Sequence, residues 1–235
     1  MLSLYPAAAE ASGSFRSSRD AVRLRSGRPS TDETRSEEEA ARRARGKVRR
    51  YCAANRLNRL GTLTYRGEGN YDPMQLRTDV AGFFRLLRGR LGIAFPYLWA
   101  PEWHPGGHGL HVHFGVGRYI RRSWVEEAWG RGFVHIKLLG DLSTGSTTLD
   151  EARIAARYLG KYVAKDLAGG RPAGLHRYEV AQGFQPQAAT IKARSVGQAL
   201  GLASARMGRQ PAYVWESWNE RRWFGPSAIW ASWDA

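Results

Sequence analysis

The sequence predicts an α+β fold: a split β-α-β-β-α-β unit of the ferredoxin- or RRM-like kind, with an antiparallel sheet, helices on one face and a tyrosine-bearing helix as its last element. Three observations predict it. Four strand-like runs alternate with helix-like segments in the order of the split βαβ arrangement. Period-two alternation divides those runs into an apolar and a polar side. Gly, Pro and Asp residues punctuate the turns and helix ends. The first and third strands are then expected at the centre of the sheet.

The elements follow in order. The first strand-like run is Leu57 to Tyr65, ended by a turn at Gly67–Gly69. Asp72 is placed to cap a helix with Pro73 at its first position. That helix runs to about Leu91, with Val80, Phe83, Phe84 and Leu87 as its apolar stripe and Gly92 as its stop. A second strand spans Phe95 to about Glu102, Pro105–Gly109 forms a turn, and a third strand covers Leu110 to Gly117. Pro101 fits an edge position for the second strand. Ser123 and Glu126 form a capping box for a short helix through Trp129. Phe133 to Leu139 is the fourth strand, and the last clear helix runs from about Leu149 to Leu167, closed by Gly169–Gly170.

Around this unit, residues 1–40 read as a disordered basic tail, because Ser, Arg, Gly and Glu dominate its first 36 or so without a sustained period. Residues 41–170 form the predicted domain, and residues 171–235 a Trp-rich extension. A helix-compatible stretch begins near Ser36. It carries Arg42, Arg43, Arg45, Lys47, Arg49 and Arg50, a run able to grip phosphates or to form a solvated face.

Lys and Arg number 36 against 21 Asp and Glu, a formal charge of +15. That surplus favours a polyanionic partner, nucleic acid first. The single cysteine, Cys52, excludes an intrachain disulfide framework or a Cys-based zinc site, and it fits a reducing, cytoplasmic setting. No run approaches the ~20 apolar residues of a membrane span, so no membrane partner is expected. Met1 to Ala9 lacks the basic start of a signal peptide. A phosphate-binding GxxxxGK[ST] loop is absent, which excludes a fused helicase of that type.

The strands carry the chemistry. In the third, Leu110, Val112, Phe114 and Val116 face one way, and His111, His113, Gly115 and Gly117 the other. In the fourth, Val134, Ile136 and Leu138 oppose Phe133, His135 and Lys137; in the first, Leu63 and Tyr65 oppose Thr62 and Thr64. The polar side, thinned by glycines, suits a surface that something must approach closely. His111 and His113, two apart on one strand, can converge on one ion. The third ligand is expected from the second strand. Glu102 is preferred over His104, because mixed imidazole and carboxylate ligation suits Mn²⁺ or Mg²⁺. Strict alternation sets Glu102 with Leu98 and Ala100, so a bulge near Pro101 is expected to aim it. His108 reads as a loop residue, and the zinc-protease HExxH pattern is absent.

The last helix carries Tyr158-Leu-Gly-Lys161-Tyr162-Val-Ala-Lys165. At about 100° per residue, Tyr158, Tyr162 and Lys165 share one stripe with Lys161 on its edge, while Ala156, Leu159 and Val163 face away. A packed amphipathic helix with snorkelling lysines gives the same pattern. The chemical alternative is a phenol nucleophile. Its pKa of ~10 makes it weak at neutral pH, but nearby lysines and a metal-bound phosphate favour the phenolate. Attack on a phosphodiester then leaves a 5′-phosphotyrosine and a free 3′-hydroxyl, and two tyrosines one turn apart suit successive cut-and-join steps.

Together these motifs resemble the HUH endonucleases, particularly the initiators of rolling-circle replication in bacterial plasmids and small phages. The first family motif looks like Gly61-Thr62-Leu63-Thr64-Tyr65, the second His111-Val112-His113, and the third Tyr158 to Lys165, similar to the two-tyrosine subgroup. All three stand in the order of replication initiators, across roughly residues 57–168. The resemblance implies an RNA-recognition-like fold, Mg²⁺ or Mn²⁺, and strand-specific nicking of single-stranded origin DNA, with host helicase and polymerase as partners. The site so expected comprises Tyr158, Tyr162, Lys161 and Lys165 for catalysis, His111, His113 and Glu102 for the metal, and Thr64, His135, Lys137 and Arg157 for DNA.

Three other readings stand beside it. A tyrosine HUH transposase would use the same chemistry. A non-catalytic nucleic-acid binder would want exposed aromatics on the central strands, where Thr62, Thr64, His111 and His113 stand instead. A zinc hydrolase would leave the tyrosine helix without a role. At the C-terminus, Trp215, Trp218, Trp223, Trp230 and Trp233 are five of the nine tryptophans. With Arg221 and Arg222 they suit either base stacking or a packed subdomain.

Overall fold

The computed structural model describes residues 1–15, 33–139, 145–169, 174–221, 223 and 227–234, and of residues 33–36 and 164–169 the backbone alone. Strands β1 (Leu2–Tyr5) and β2 (Glu10–Ser14) precede helix α1 (Glu33–Ala54). There follow β3 (Arg59–Tyr65), α2 (Pro73–Leu91), β4 (Tyr97–Trp103), β5 (Leu110–Val116), α3 (Arg122–Trp129), β6 (Gly132–Leu138) and α4 (Thr148–Gly169). The chain continues through β7 (Glu179–Val180), β8 (Ala189–Ile191), α5 (Val196–Met207), β9 (Tyr213–Glu216) and β10 (Ala228–Ser232). These elements divide into two compact units, Glu37–Gln185 and a second made from both chain ends, Met1–Ser36 with Pro186–Ala235. No helix among the described residues is long and apolar enough to cross a membrane.

The larger unit holds the expected split βαβ sheet. Its strand order is β6-β3-β5-β4-β7, all antiparallel, so β3 and β5, the first and third strands of the motif, are central. On one face, Leu63, Leu110, Val112, Phe114, Val116 and Val134 pack against Val80, Phe83, Phe84 and Leu87 of α2 and Val125 and Trp129 of α3. Fully burying each large apolar side chain there contributes on the order of 1.5–3 kcal/mol. Gly61 faces Phe114 in the β3–β5 register. A Cβ at Gly61 would sit 2.1 Å from the Phe114 ring, so no larger residue fits beneath it.

The helix ends follow the local chemistry, with one exception. Asp72 caps α2 by accepting from the Met74 amide at 2.8 Å, and Gly92 ends it with φ +67°. The expected Ser123–Glu126 capping box is not formed. Helix α3 begins one residue earlier, at Arg122, which places Ser123 inside the first turn. Glu126 instead accepts from Arg122 Nε at 2.7 Å.

Two further expectations are corrected. Strand β4 is not a free edge, since β7 pairs with Leu98 and Trp99. Pro101 lies beyond that pairing, where its missing N–H costs nothing. The disordered reading of the N-terminal tail fails for its first residues, whereas residues 16–32 lie outside those described. Strands β1 and β2 form a hairpin and complete a second antiparallel sheet, ordered β8-β1-β2-β10-β9. Leu2, Leu4, Ala11, Ile229, Ala231 and Trp233 are buried in this unit. The C-terminal tryptophans therefore belong largely to a folded subdomain: Trp233 Nε1 donates to the Arg209 carbonyl at 3.0 Å. Trp215 lies opposite Trp230 and packs edge-on to Trp223. Arg222 lies outside the described residues. The signal was missed because a four-residue strand at the start of the chain finds its partners only through pairing with segments some two hundred residues away.

Candidate active site

The histidine face of the larger sheet is not a bare polar surface. Register places Ala100, His113, Thr62 and His135 in one row, with Leu98, Gly115, Leu60 and Lys137 in the next. Directly paired residues share a face, so Leu98, Ala100 and Glu102 all stand on the histidine side. The bulge expected near Pro101 is unnecessary, because Glu102 pairs directly with His111.

Half of this face is roofed. Leu57, Leu60, Leu98 and Ala100 form a second core with Ala155, Ala156, Leu159 and Val163 of α4 and Val48 and Cys52 of α1. The tyrosine helix thus lies on the face opposite α2 and α3. Gly115 permits this approach, since a Cβ there would stand 3.1 Å from Leu159 Cδ1. The glycine-thinned surface makes room for a helix of the same chain.

With Ala156, Leu159 and Val163 docked inward, the helical period carries Tyr158 and Tyr162 over His113. The Tyr162 ring stacks on the His113 ring, with centroids 3.6 Å apart and planes at 11°. Tyr158 lies edge-on to both, 6.3 Å from His113 and 5.2 Å from Tyr162. Tyr158 is 38% exposed. The Tyr162 phenol is half-buried, and its pKa is raised by burial first, then by its hydrogen bond with Tyr158 and by the neighbouring Tyr158 and Glu102 charges.

His113 is held from both nitrogens. Its Nε2 meets Glu102 Oε2 at 2.7 Å, and its Nδ1 meets Thr62 Oγ1 at 3.2 Å. If Nε2 donates to the carboxylate, Nδ1 of the neutral ring accepts the Thr62 hydroxyl proton. The Gly61–Tyr65 motif thereby gains a structural meaning: Thr62 orients a histidine on one face, while the Tyr65 hydroxyl donates to buried Asp79 at 2.8 Å on the other.

His111 is buried, and its Nε2 has no hydrogen-bond partner among the described residues. Such a group costs on the order of 1–3 kcal/mol when left unsatisfied. Burial lowers its pKa to about 4, aided by the charges of His104, His113 and His108 and opposed by Glu102. The ring is therefore neutral at pH 7, the state that ligates metals. His104 lies 4.4 Å from it between ring centroids, and His104 Nδ1 accepts the Gly106 amide at 3.1 Å. His108 is a loop residue whose Nε2 bonds the Tyr65 carbonyl at 3.1 Å.

As they stand, no three His, Cys, Asp or Glu side chains among the described residues are spaced to hold an ion. The donor chemistry nevertheless fits a divalent cation. An unpartnered buried imidazole nitrogen, a second imidazole and a carboxylate lie on adjacent strands of one face. The Glu102–His113 hydrogen bond is the contact that coordination would replace.

The remaining predicted residues divide by location. Thr64 lies on the histidine face of β3 and pairs with Phe133, which is 73% exposed. His135 and Lys137 are exposed on β6, beyond the roofed half. Arg157 and Lys161 are exposed too, but they line a groove against α1 with Arg42, Arg45 and Arg49. Lys161 is thus brought to that groove, beside the tyrosine stripe. The Lys165 side chain lies outside the described residues. Thr62 as a partner of His113 and Phe133 as an exposed aromatic were visible as positions on the polar face, but their roles needed the strand register.

Residues 58–167 match the model of a family of replication-associated proteins, the ORF2 type. The matched segment runs from the residue before β3 to near the end of α4, and so contains every candidate ligand and both tyrosines. It supports a Rep-type protein, of the kind that initiates rolling-circle replication. No curated protein and no solved structure shows a significant match to the chain.

Proposed function

We propose that this Rep-type chain cuts and rejoins single-stranded DNA at a replication origin, with Tyr158 and Tyr162 as nucleophiles. The observation that carries the reading is the convergence of both phenols on His113, whose strand also carries His111 and pairs with Glu102.

In the first step a tyrosine hydroxyl loses its proton and its oxygen bonds to the scissile phosphorus. The P–O3′ bond breaks, and the departing oxygen takes up a proton as a 3′-hydroxyl. The product is a 5′-phosphotyrosine, so the phosphodiester is exchanged rather than hydrolysed. A later attack by a 3′-hydroxyl reverses these bond changes and rejoins a strand. His111, His113 and Glu102 would hold Mg²⁺ or Mn²⁺, which when bound polarises a phosphoryl oxygen. Thr62 and Glu102 orient His113, while the α4 roof excludes water from one side of the site. Thr64, Phe133, His135 and Lys137 offer the open half of the face to the incoming strand. The free 3′-hydroxyl would serve host helicase and polymerase in the cytoplasm.

The test uses labelled single-stranded oligonucleotides from the protein's own replicon with Mn²⁺, resolved on a denaturing gel. A covalent protein–DNA adduct is expected for the wild type, and its loss in His111→Ala and in Tyr158→Phe/Tyr162→Phe. A DNA shift without any adduct would replace the reading with a pure binding module. Cleavage surviving in the double tyrosine variant would point to attack by water.

A further inference from the structure

The groove between α1 and α4 has no part in the chemistry above. It encloses about 700 Å³ and is lined by Arg42, Arg45, Gly46 and Arg49 of α1 with Ala156, Arg157, Gly160 and Lys161 of α4. The sequence spacing explains how it forms. On α1, Ala41, Ala44 and Val48 are buried, and Arg42, Arg45 and Arg49 run beside them at i, i+3 and i+7 on a neighbouring stripe. On α4, Arg157 and Lys161 are one turn apart, next to the buried stripe of Ala152, Ala156 and Leu159. Five cations therefore face one channel whose lining contains no carboxylate. Its glycines and alanine keep the floor low. A Cβ at Gly160 would lie 3.8 Å from Arg45 Cγ, so the arginine stem crosses directly over α4.

Arg157 directly precedes Tyr158, and Lys161 directly precedes Tyr162. The groove is thus the face of α4 adjoining the tyrosine face. We infer that it is a track for the phosphate backbone of single-stranded DNA, carrying the strand that flanks the phosphate presented to the tyrosines. The inference rests on the strand-cutting reading for the identity of its ligand. Cations one helical turn apart, about 5.4 Å along each axis, repeat on the scale of successive phosphates in an extended strand. Guanidinium groups suit that role through paired N–H donors. In this assignment Lys161 holds the backbone beside the nucleophile.

The remaining α1 cations make a matched control. Arg43 and Lys47 are exposed but do not line the groove, and Arg43 pairs with Glu39 at 3.6 Å. Binding of the full-length protein to fluorescein-labelled dT20 is measured by anisotropy across a KCl series. Each single-strand phosphate contact contributes about 0.7 to the slope of log K against log salt. The slope is expected to fall by about 1.4 in Arg45→Gln/Arg49→Gln and to stay at the wild-type value in Arg43→Gln/Lys47→Gln. Equal losses in the two pairs, or none in the groove pair, would overturn the track. Should the groove pair fail to fold, Gly160→Cys tests the same surface with its charges intact, because Cys52 is buried. Saturating dT20 is expected to slow maleimide labelling of the new thiol several-fold; unchanged labelling would count against the track. The two readings fail separately. A normal groove slope without any covalent adduct removes the nickase and leaves the track, whereas an adduct with indistinguishable slopes does the reverse.

Discussion

The imidazole of His113 lies flat against the phenol of Tyr162, with ring centroids 3.6 Å apart and planes at 11°. This contact joins the central strand to the tyrosine helix and makes the two tyrosines unequal. Tyr162 is stacked and half-buried, with its phenol pKa raised by burial, while Tyr158 is the more exposed of the pair.

Tyr158 is therefore expected to make the first cut. In single-turnover assays, Tyr158→Phe should lower the rate of adduct formation by roughly 1,000-fold or more, the scale of losing a nucleophile. Tyr162→Phe should keep the first adduct and lose strand rejoining. The opposite ranking would assign the first cut to Tyr162.

Glu102 is expected to be the third ligand because it pairs directly with His111 and already meets His113. Mn²⁺ titrations followed by electron paramagnetic resonance should show at least about tenfold weaker binding in Glu102→Ala, a loss typical of disturbed metal shells. His104→Ala should change it far less. If His104→Ala is the more damaging variant, the ring 4.4 Å from His111 takes the role instead.

The metal-free protein should lose stability in mild acid through His111. Its folded pKa of about 4 lies below the ordinary value of about 6.5. The unfolded chain therefore binds more protons between those pH values. This contribution is fully present above about pH 6.5 and is lost as pH falls through 4. Urea unfolding at pH 7 and pH 5 should show a smaller decrease for His111→Gln than for the wild type. Equal decreases would mean that the imidazole titrates normally.

Gly115 should resist substitution because Leu159 Cδ1 stands 3.1 Å from where a Cβ would be. Gly115→Val is expected to cost about 1–3 kcal/mol by overpacking, measured by thermal unfolding. It should also reduce adduct formation by moving α4 off His113. A stable Gly115→Val protein with wild-type cutting would show that helix position is not critical.

Much of the larger unit was legible in the chain. Period-two alternation separated Leu110, Val112, Phe114 and Val116 from His111 and His113, and Asp72-Pro73 and Gly92 marked the ends of α2, because strand faces and helix caps are set by residues close in sequence. The tyrosine stripe was readable for the same reason. Neither the N-terminal hairpin nor the role of the C-terminal tryptophans was legible, since β1, β2 and β10 are stable only when paired across the length of the chain. Local pattern likewise could not reveal that Leu98 and Ala100 lie on the histidine side, or that α4 roofs that side over Gly115 and turns Lys161 toward α1. Those facts arise from strand register and from the docking of one apolar helix stripe, which depend on contacts between residues far apart in the chain.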